Sequence, residues 1–154
     1  MANMAEFLGN RKKQEFATGH GTEIHHRLQF IFIDGDNVRG DLSSEALAKG
    51  DTDLIEKIRK NPKIAGFFDK NSRSEVPIAG HINGKFVSRR IDRLKITPES
   101  IEFLDYKTDT TRVRRDNYVA QMKEYATLLR AAYPSHKIRG HILWLHDWEL
   151  EQVI

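Results

Sequence analysis

Asp105 and Lys107 stand two residues apart at the end of Ile101-Glu102-Phe103-Leu104-Asp105-Tyr106-Lys107-Thr108, a stretch that reads as a β-strand running out into a polar loop. Side chains alternate faces along a strand, so Ile101, Phe103, Asp105 and Lys107 point the same way. Two apolar residues anchor that face in a core, while a carboxylate and an ammonium emerge side by side. A carboxylate can hold a hard divalent cation, and a lysine beside it can touch the phosphate that the cation touches. Three further places carry related chemistry: Gly21-Thr22-Glu23-Ile24-His25 at a helix start, Asp92 within Arg90-Ile91-Asp92-Arg93-Leu94, and Gln121 four residues before Tyr125. His25, Asp92 and Asp105 come from three separate elements and together suit Mg²⁺ or Mn²⁺, since oxygen donors match these ions and an imidazole is tolerated.

The elements that must position these residues follow from periodicity and breakers. Residues 1–16 carry charge without a clear period and form a weakly specified lead-in. A helix capped near Thr22 runs to about Phe32, with Ile24, Leu28 and Ile31 on one face, and Asp34-Gly35-Asp36-Asn37 then turns the chain. Residues 43–60 suggest one or two helices interrupted at Gly50-Asp51 and stopped at Asn61-Pro62, with a short helical piece over 64–68. From Glu75 the period becomes two. Asn83-Gly84 is a strong hairpin signal between strands, the second running from Lys85 to about Ile96. Glu75 opens that hairpin, where it either reaches the site or serves as an ordinary strand entry. Thr97-Pro98 turns the chain into the strand that carries Asp105, completing a three-stranded meander. A helix over about 117–132 bears Tyr118, Gln121, Met122, Tyr125, Leu128 and Leu129 as one stripe, and an apolar strand over 138–145 closes the chain inside the sheet. Arg112, Arg114 and Arg115 lie on the loop after the D-x-K strand, border the site and are expected to contact phosphates.

Composition limits the alternatives. At 154 residues the chain fits one domain, 1–154, able to bury about 70% of the surface of its unfolded form. A net charge of +3 is too small for a general nucleic-acid coat, so the placement of charge matters more than its sum. The absence of cysteine excludes disulfides, thiolate metal sites and iron-sulfur ligation. No apolar run reaches transmembrane length and no signal peptide is recognisable, which makes a cytoplasmic setting without membrane partners the expectation.

The order G-x-x-x-H, then Gly84 to Leu94 ending I-D-R-L, then L-D-Y-K-T, then Q-x-x-x-Y resembles the PD-(D/E)xK nuclease superfamily, and within it the C-terminal nuclease domain of AddA- and RecB-type helicase-nucleases. That resemblance implies an α/β fold with a restriction-endonuclease-like core, a central mixed β-sheet flanked by α-helices. It implies that His25, Asp92 and Asp105 ligate Mg²⁺ or Mn²⁺ with the backbone carbonyl of Tyr106, and that Lys107 orients the attacking water or stabilises charge on the phosphorane. Gln121 and Tyr125 would support the site and approach DNA. The implied activity is metal-dependent hydrolysis of DNA, as an exonuclease acting on a single strand delivered by a helicase motor, with an AddB-like partner subunit. The chain departs from the family in carrying no helicase motor and no cysteine cluster. A non-catalytic DNA-binding or scaffold domain of the same fold and a junction-resolvase-like endonuclease are the alternatives.

Overall fold

The computed structural model describes residues 19–35, 37–39 and 49–154. Helix α1 (Gly19–Gln29) leads into a small antiparallel pair, β1 (Phe32–Asp34) and β2 (Asn37–Arg39). Helix α2 (Lys49–Lys60), the short α3 (Pro62–Ala65) and a 3₁₀ turn (Gly66–Phe68) follow. The main sheet comprises β3 (Ser72–Ile82), β4 (Lys85–Ile96), β5 (Ser100–Lys107), β6 (Lys137–Trp144) and β7 (Glu149–Gln152), with α4 (Arg115–Ala132) crossing between β5 and β6. Its order is β3-β4-β5-β6-β7, antiparallel except for the parallel pair β5 and β6. The protein is therefore mixed α/β, with helices on both faces of a five-stranded mixed sheet.

Alternation along β5 produces the two cores. Leu104 and Tyr106 join Leu28, Ile31, Ile58 and Phe68 from the α1 to α3 layer. Ile101 and Phe103 point the other way, against Met122, Tyr125 and Leu129 of α4. Strand β6 splits likewise, with Leu143 on the first face and Ile142 and Trp144 on the second. Burial on both faces agrees with the continuous apolar run of the β6 sequence and with its interior place in the sheet.

Several boundaries differ from the sequence expectation, each for a local reason. Helix α1 begins at Gly19 and stops at Gln29, short of Phe32. Its last carbonyls, those of Leu28 and Gln29, and that of Ile31 beyond it, accept from the guanidinium of Arg93. Phe32 instead starts β1. Gly50 and Asp51 do not interrupt a helix: both lie in the first turn of α2, where an acidic residue suits the helix dipole. The expected helix start at Ser43 or Ser44 lies outside the described residues, as does the lead-in. At Asn61 the carboxamide accepts from the Lys63 amide and Pro62 opens α3, so one helix stops and another starts. Asn83 and Gly84 turn the hairpin with positive φ at both positions, as a type I′ turn requires. Strand β7 had no counterpart in the sequence reading, because four residues with Leu150 as their one apolar side chain give too short a pattern to mark a strand.

Arg93 is the residue that joins the layers. It is fully buried, donates from Nε to the Phe67 carbonyl at 2.8 Å and from Nη1 to the Leu28 carbonyl at 3.0 Å, and lies 4.4 and 4.2 Å from the Phe32 and Phe68 ring centres. Removing it would strand several buried carbonyls at once, each costing about 1–3 kcal/mol if left unpaired. Arg93→Met should lower the unfolding free energy by about 3 kcal/mol or more in urea titration, and Arg93→Lys should recover only part, because an ammonium lacks the planar fork. A loss below about 1 kcal/mol for Arg93→Met would mean that the carbonyls are satisfied without it.

Candidate active site

The site forms where β4 leaves β5. Their pairing runs from Ile96↔Ile101 to Arg93↔Leu104 and then ends. One step further, the Tyr106 amide finds no backbone partner on β4 and donates instead to Asp92 Oδ2 at 2.8 Å. A side-chain carboxylate thus takes the place of a ladder bond, and the gap this opens lies at the C-terminal end of β5, where ligands commonly bind in α/β sheets. On the far side of β4, Glu75 faces Asp92 within the β3–β4 register and adopts φ 53°, a left-handed conformation that is uncommon outside glycine. The pair marks a reversal. Leu94 packs towards α4 and Arg93 towards α1, yet past Asp92 it is Ile91 that packs towards α4.

Around that gap, the residues named from the sequence come together from both faces. From the α1 side His25 Nε2 approaches Asp92 Oδ2 at 3.4 Å, and its ring meets Tyr106 edge-on at 5.3 Å between centres. From the α4 side, Lys107 Nζ lies 2.7 Å from Asp105 Oδ2 and donates to Gln121 Oε1 at 3.2 Å. The Gln121 amide in turn donates to the Tyr125 hydroxyl at 2.8 Å. Tyr118, read in the sequence only as part of the core stripe, sits one turn before Gln121 and places its ring 4.2 Å beneath the Lys107 ammonium. Tyr125 itself is only 3% exposed. It reaches the site through Gln121, which makes it a supporting residue and not a surface that DNA could touch.

The electrostatics are unbalanced at Asp105. Its carboxyl is 4% exposed, and Lys107 lies against Oδ2 at an angle that leaves this buried oxygen without an aligned hydrogen bond. Burial first, and the nearby charge of Asp92 second, push the Asp105 carboxyl up to about 7 despite the opposing pull of Lys107 and His25. Glu75 is also held above its usual value, by burial and then by Asp92, while Arg90 at 3.5 Å pulls the other way. Glu75 therefore belongs to the same charge cluster. Among the described residues no three His, Asp or Glu side chains converge in a metal-binding arrangement. The donor types nonetheless fit a hard cation, and Asp105 Oδ2, buried and met by no hydrogen bond beside its ion pair with Lys107, is a position such a cation could take up.

The three loop arginines are placed differently from the expectation. Arg112 bonds Asp147 and Glu149 at 3.0 and 2.7 Å and stacks on Trp144 at 4.2 Å. Arg115 pairs with Glu151 at 2.6 Å, and Arg114 with Asp109 at 2.9 Å. Arg112 and Arg115 are answered by acids on and just before β7, and Arg114 by Asp109 of the same loop, so each of the three arginines is ion-paired. The acidic run Asp147, Glu149 and Glu151 was the available signal for this. Compared with known protein families and with curated proteins, the chain finds no match in either. No helix among the described residues is long and apolar enough to cross a membrane.

The raised Asp105 carboxyl has a consequence for stability. Below about pH 4 an aspartate is protonated in the folded and unfolded chain alike, and burial then costs nothing. As pH rises to 7 the unfolded chain gives up its proton while the folded one retains it, so stability is lost across that window. Without divalent cations, Asp105→Asn should match the parent near pH 4 and exceed it by about 1–2 kcal/mol at pH 8. Equal stability at pH 8, followed by chemical denaturation, would show that Lys107 fully compensates the charge.

Proposed function

We propose that this chain is a metal-dependent nuclease that hydrolyses DNA phosphodiesters, with a restriction-endonuclease-like core of the PD-(D/E)xK type. The observation that carries the reading is the convergence of Asp92, Asp105 and Lys107 at one break in the sheet, with His25 on one face and Gln121 on the other. The order of motifs in the sequence supports it further. Mg²⁺ or Mn²⁺ would be held by Asp92 and Asp105, with His25 and the Tyr106 carbonyl. Bound there, the ion would lower the pKa of a water and offset charge on a phosphoryl oxygen.

The chain's own residues then have separable tasks. Lys107, held between Asp105, Gln121 and the Tyr118 ring, is a compact point charge beside the carboxylates, suited to orient a water and meet a phosphoryl oxygen. Gln121 positions the ammonium, and Tyr125 positions Gln121. Asp92 holds the backbone of β5 through the Tyr106 amide, so its carboxylate is fixed by the same strand that carries Asp105. Action on a strand delivered by a helicase motor, with an AddB-like partner, is the setting that the motif order suggests. A non-catalytic domain of the same fold is the second reading, in which the ion pair of Lys107 with Asp105 serves packing alone.

Labelled single- and double-stranded DNA incubated with the protein should be cut in Mg²⁺ or Mn²⁺ and remain intact in chelator. Lys107→Ala should slow single-turnover cleavage by about 10²- to 10³-fold while remaining folded and retaining Mn²⁺ binding. Asp92→Ala and Asp105→Ala should each weaken Mn²⁺ binding sharply in calorimetry, since hard cations need more than one anionic ligand. DNA that survives intact with either metal, together with Mn²⁺ binding indifferent to both aspartates, would favour the non-catalytic reading.

A further inference from the structure

The β3–β4 hairpin continues past the point where β5 ends. Asp92 is the last β4 residue to reach β5, through its side chain, and the stretch from Lys85 to Ile91 pairs with β3 alone. One face of this extension lies on α4: Arg89 pairs with Glu124 at 3.1 Å, and a side chain at Gly80 would come within 2.9 Å of Leu128. Because the packing direction reverses at Glu75 and Asp92, the opposite face carries Pro77, Ala79, His81, Phe86, Ser88 and Arg90, all exposed. Small side chains floor it. At its outer end Phe86 is 67% exposed, with His81 meeting its ring edge-on at 5.7 Å between centres. At its inner end Arg90 and Glu75 adjoin Asp92. Phe86 and Asp92 are six residue steps apart along the strand, about 20 Å of path.

We propose that this open hairpin face is a stacking track for unpaired bases of a nucleic-acid strand entering or leaving the candidate site, with Phe86 as its outer platform. Charge complementarity selects that occupant. Residues 76–91 contain no Asp or Glu. Arg90 lies on the open face, where it also pairs with Glu75, Lys85 precedes Phe86 at the hairpin end, and Arg89 turns to Glu124 on the α4 side. A protein-docking face needs a contiguous apolar patch, whereas an aromatic ring on a floor of Ala79, Ser88 and Pro77, with His81 and Arg90 on the same face and Lys85 next to the ring in the strand, matches single-strand binding. The track rests on the nuclease reading for its destination, though its binding chemistry can be tested apart from cleavage.

The test uses a fluorescein-labelled oligo-dT strand and the full chain in chelator, read by anisotropy, so that nothing is cut. Phe86→Ala should weaken binding about 5- to 100-fold, and Phe86→Tyr should restore it, because any aromatic face can stack. Lys85→Gln should reduce the log-log salt slope by about 0.7, the value for one phosphate contact on a single strand. A fully paired duplex should bind without sensitivity to Phe86. Equal binding by parent and Phe86→Ala, or no binding of the strand by the parent, overturns the track. So does sedimentation showing a dimer that Phe86→Ala dissolves, since the face would then serve a second copy. Cleavage in Mn²⁺ by a protein indifferent to Phe86 would sink the track and leave the nuclease reading standing. Phe86-dependent binding with no cleavage under any metal would do the reverse.

Discussion

The guanidinium of Arg93 is the constraint on which the remaining geometry depends. A buried cation is costly, and here it is answered by carbonyl oxygens of α1, the residue beyond it and the 3₁₀ turn, with aromatic rings above and below. Burial lowers its pKa, yet an arginine keeps its proton where a lysine would lose it. The result is that α1 ends at a fixed height against β4. His25 lies on that helix, one turn before Leu28, and Asp92 is the immediate neighbour of Arg93 in the chain. The approach of His25 to Asp92 is thus set by a bond network one residue away, and not by the attraction between imidazole and carboxylate alone.

Strand β4 could not serve both roles if it were regular. Arg93 must face α1, while Ile91 and Leu94 must face α4, and strict alternation forbids that combination. The left-handed backbone of Glu75 and the separation of β4 from β5 resolve the conflict at one position, where Asp92 then bonds to Tyr106 in place of a strand neighbour. Backbone strain and carboxylate crowding coincide there. Such coincidence is typical of places where a fold gives up stability for function, since a hydrophobic pair at Asp92 and Asp105 would pack at lower cost.

Most of the architecture was legible where local chemistry was strong. Asn83-Gly84 marked the hairpin, the limits of β4 followed from it, and the stripe from Tyr118 to Leu129 marked α4 to within two residues of its start. The gathering of Asp92, Asp105, Lys107 and Gln121 followed from strand parity and motif order. What escaped was long-range. The role of Arg93 was not read from the sequence, because nothing local shows that four carbonyls await it. Strand β7 was invisible because its pairing comes from β6, and the ion pairs of Arg112 and Arg115 were not foreseen because their acids lie more than thirty residues later. Glu75 remained undecided for the same reason: only the fold puts it opposite Asp92.

The placement of those acids also constrains where a polyanion could approach. With Arg112 and Arg115 joined to Glu149 and Glu151, and Trp144 donating to Glu151 at 2.9 Å, the loop after Lys107 is stiffened by a network that is close to neutral. Stiffness there serves Lys107, whose carbonyl accepts from Leu145 at the start of the next loop and whose ammonium must stay between Asp105 and Gln121. A strand of phosphates arriving from the β7 side would meet the carboxylates of Asp147, Glu149 and Glu151, whose charge opposes it. The hairpin side presents no acid across residues 76–91. If the site does act on nucleic acid, the distribution of charge therefore favours approach along β3 and β4, which is the side where Glu75, Asp92 and Arg90 open the sheet.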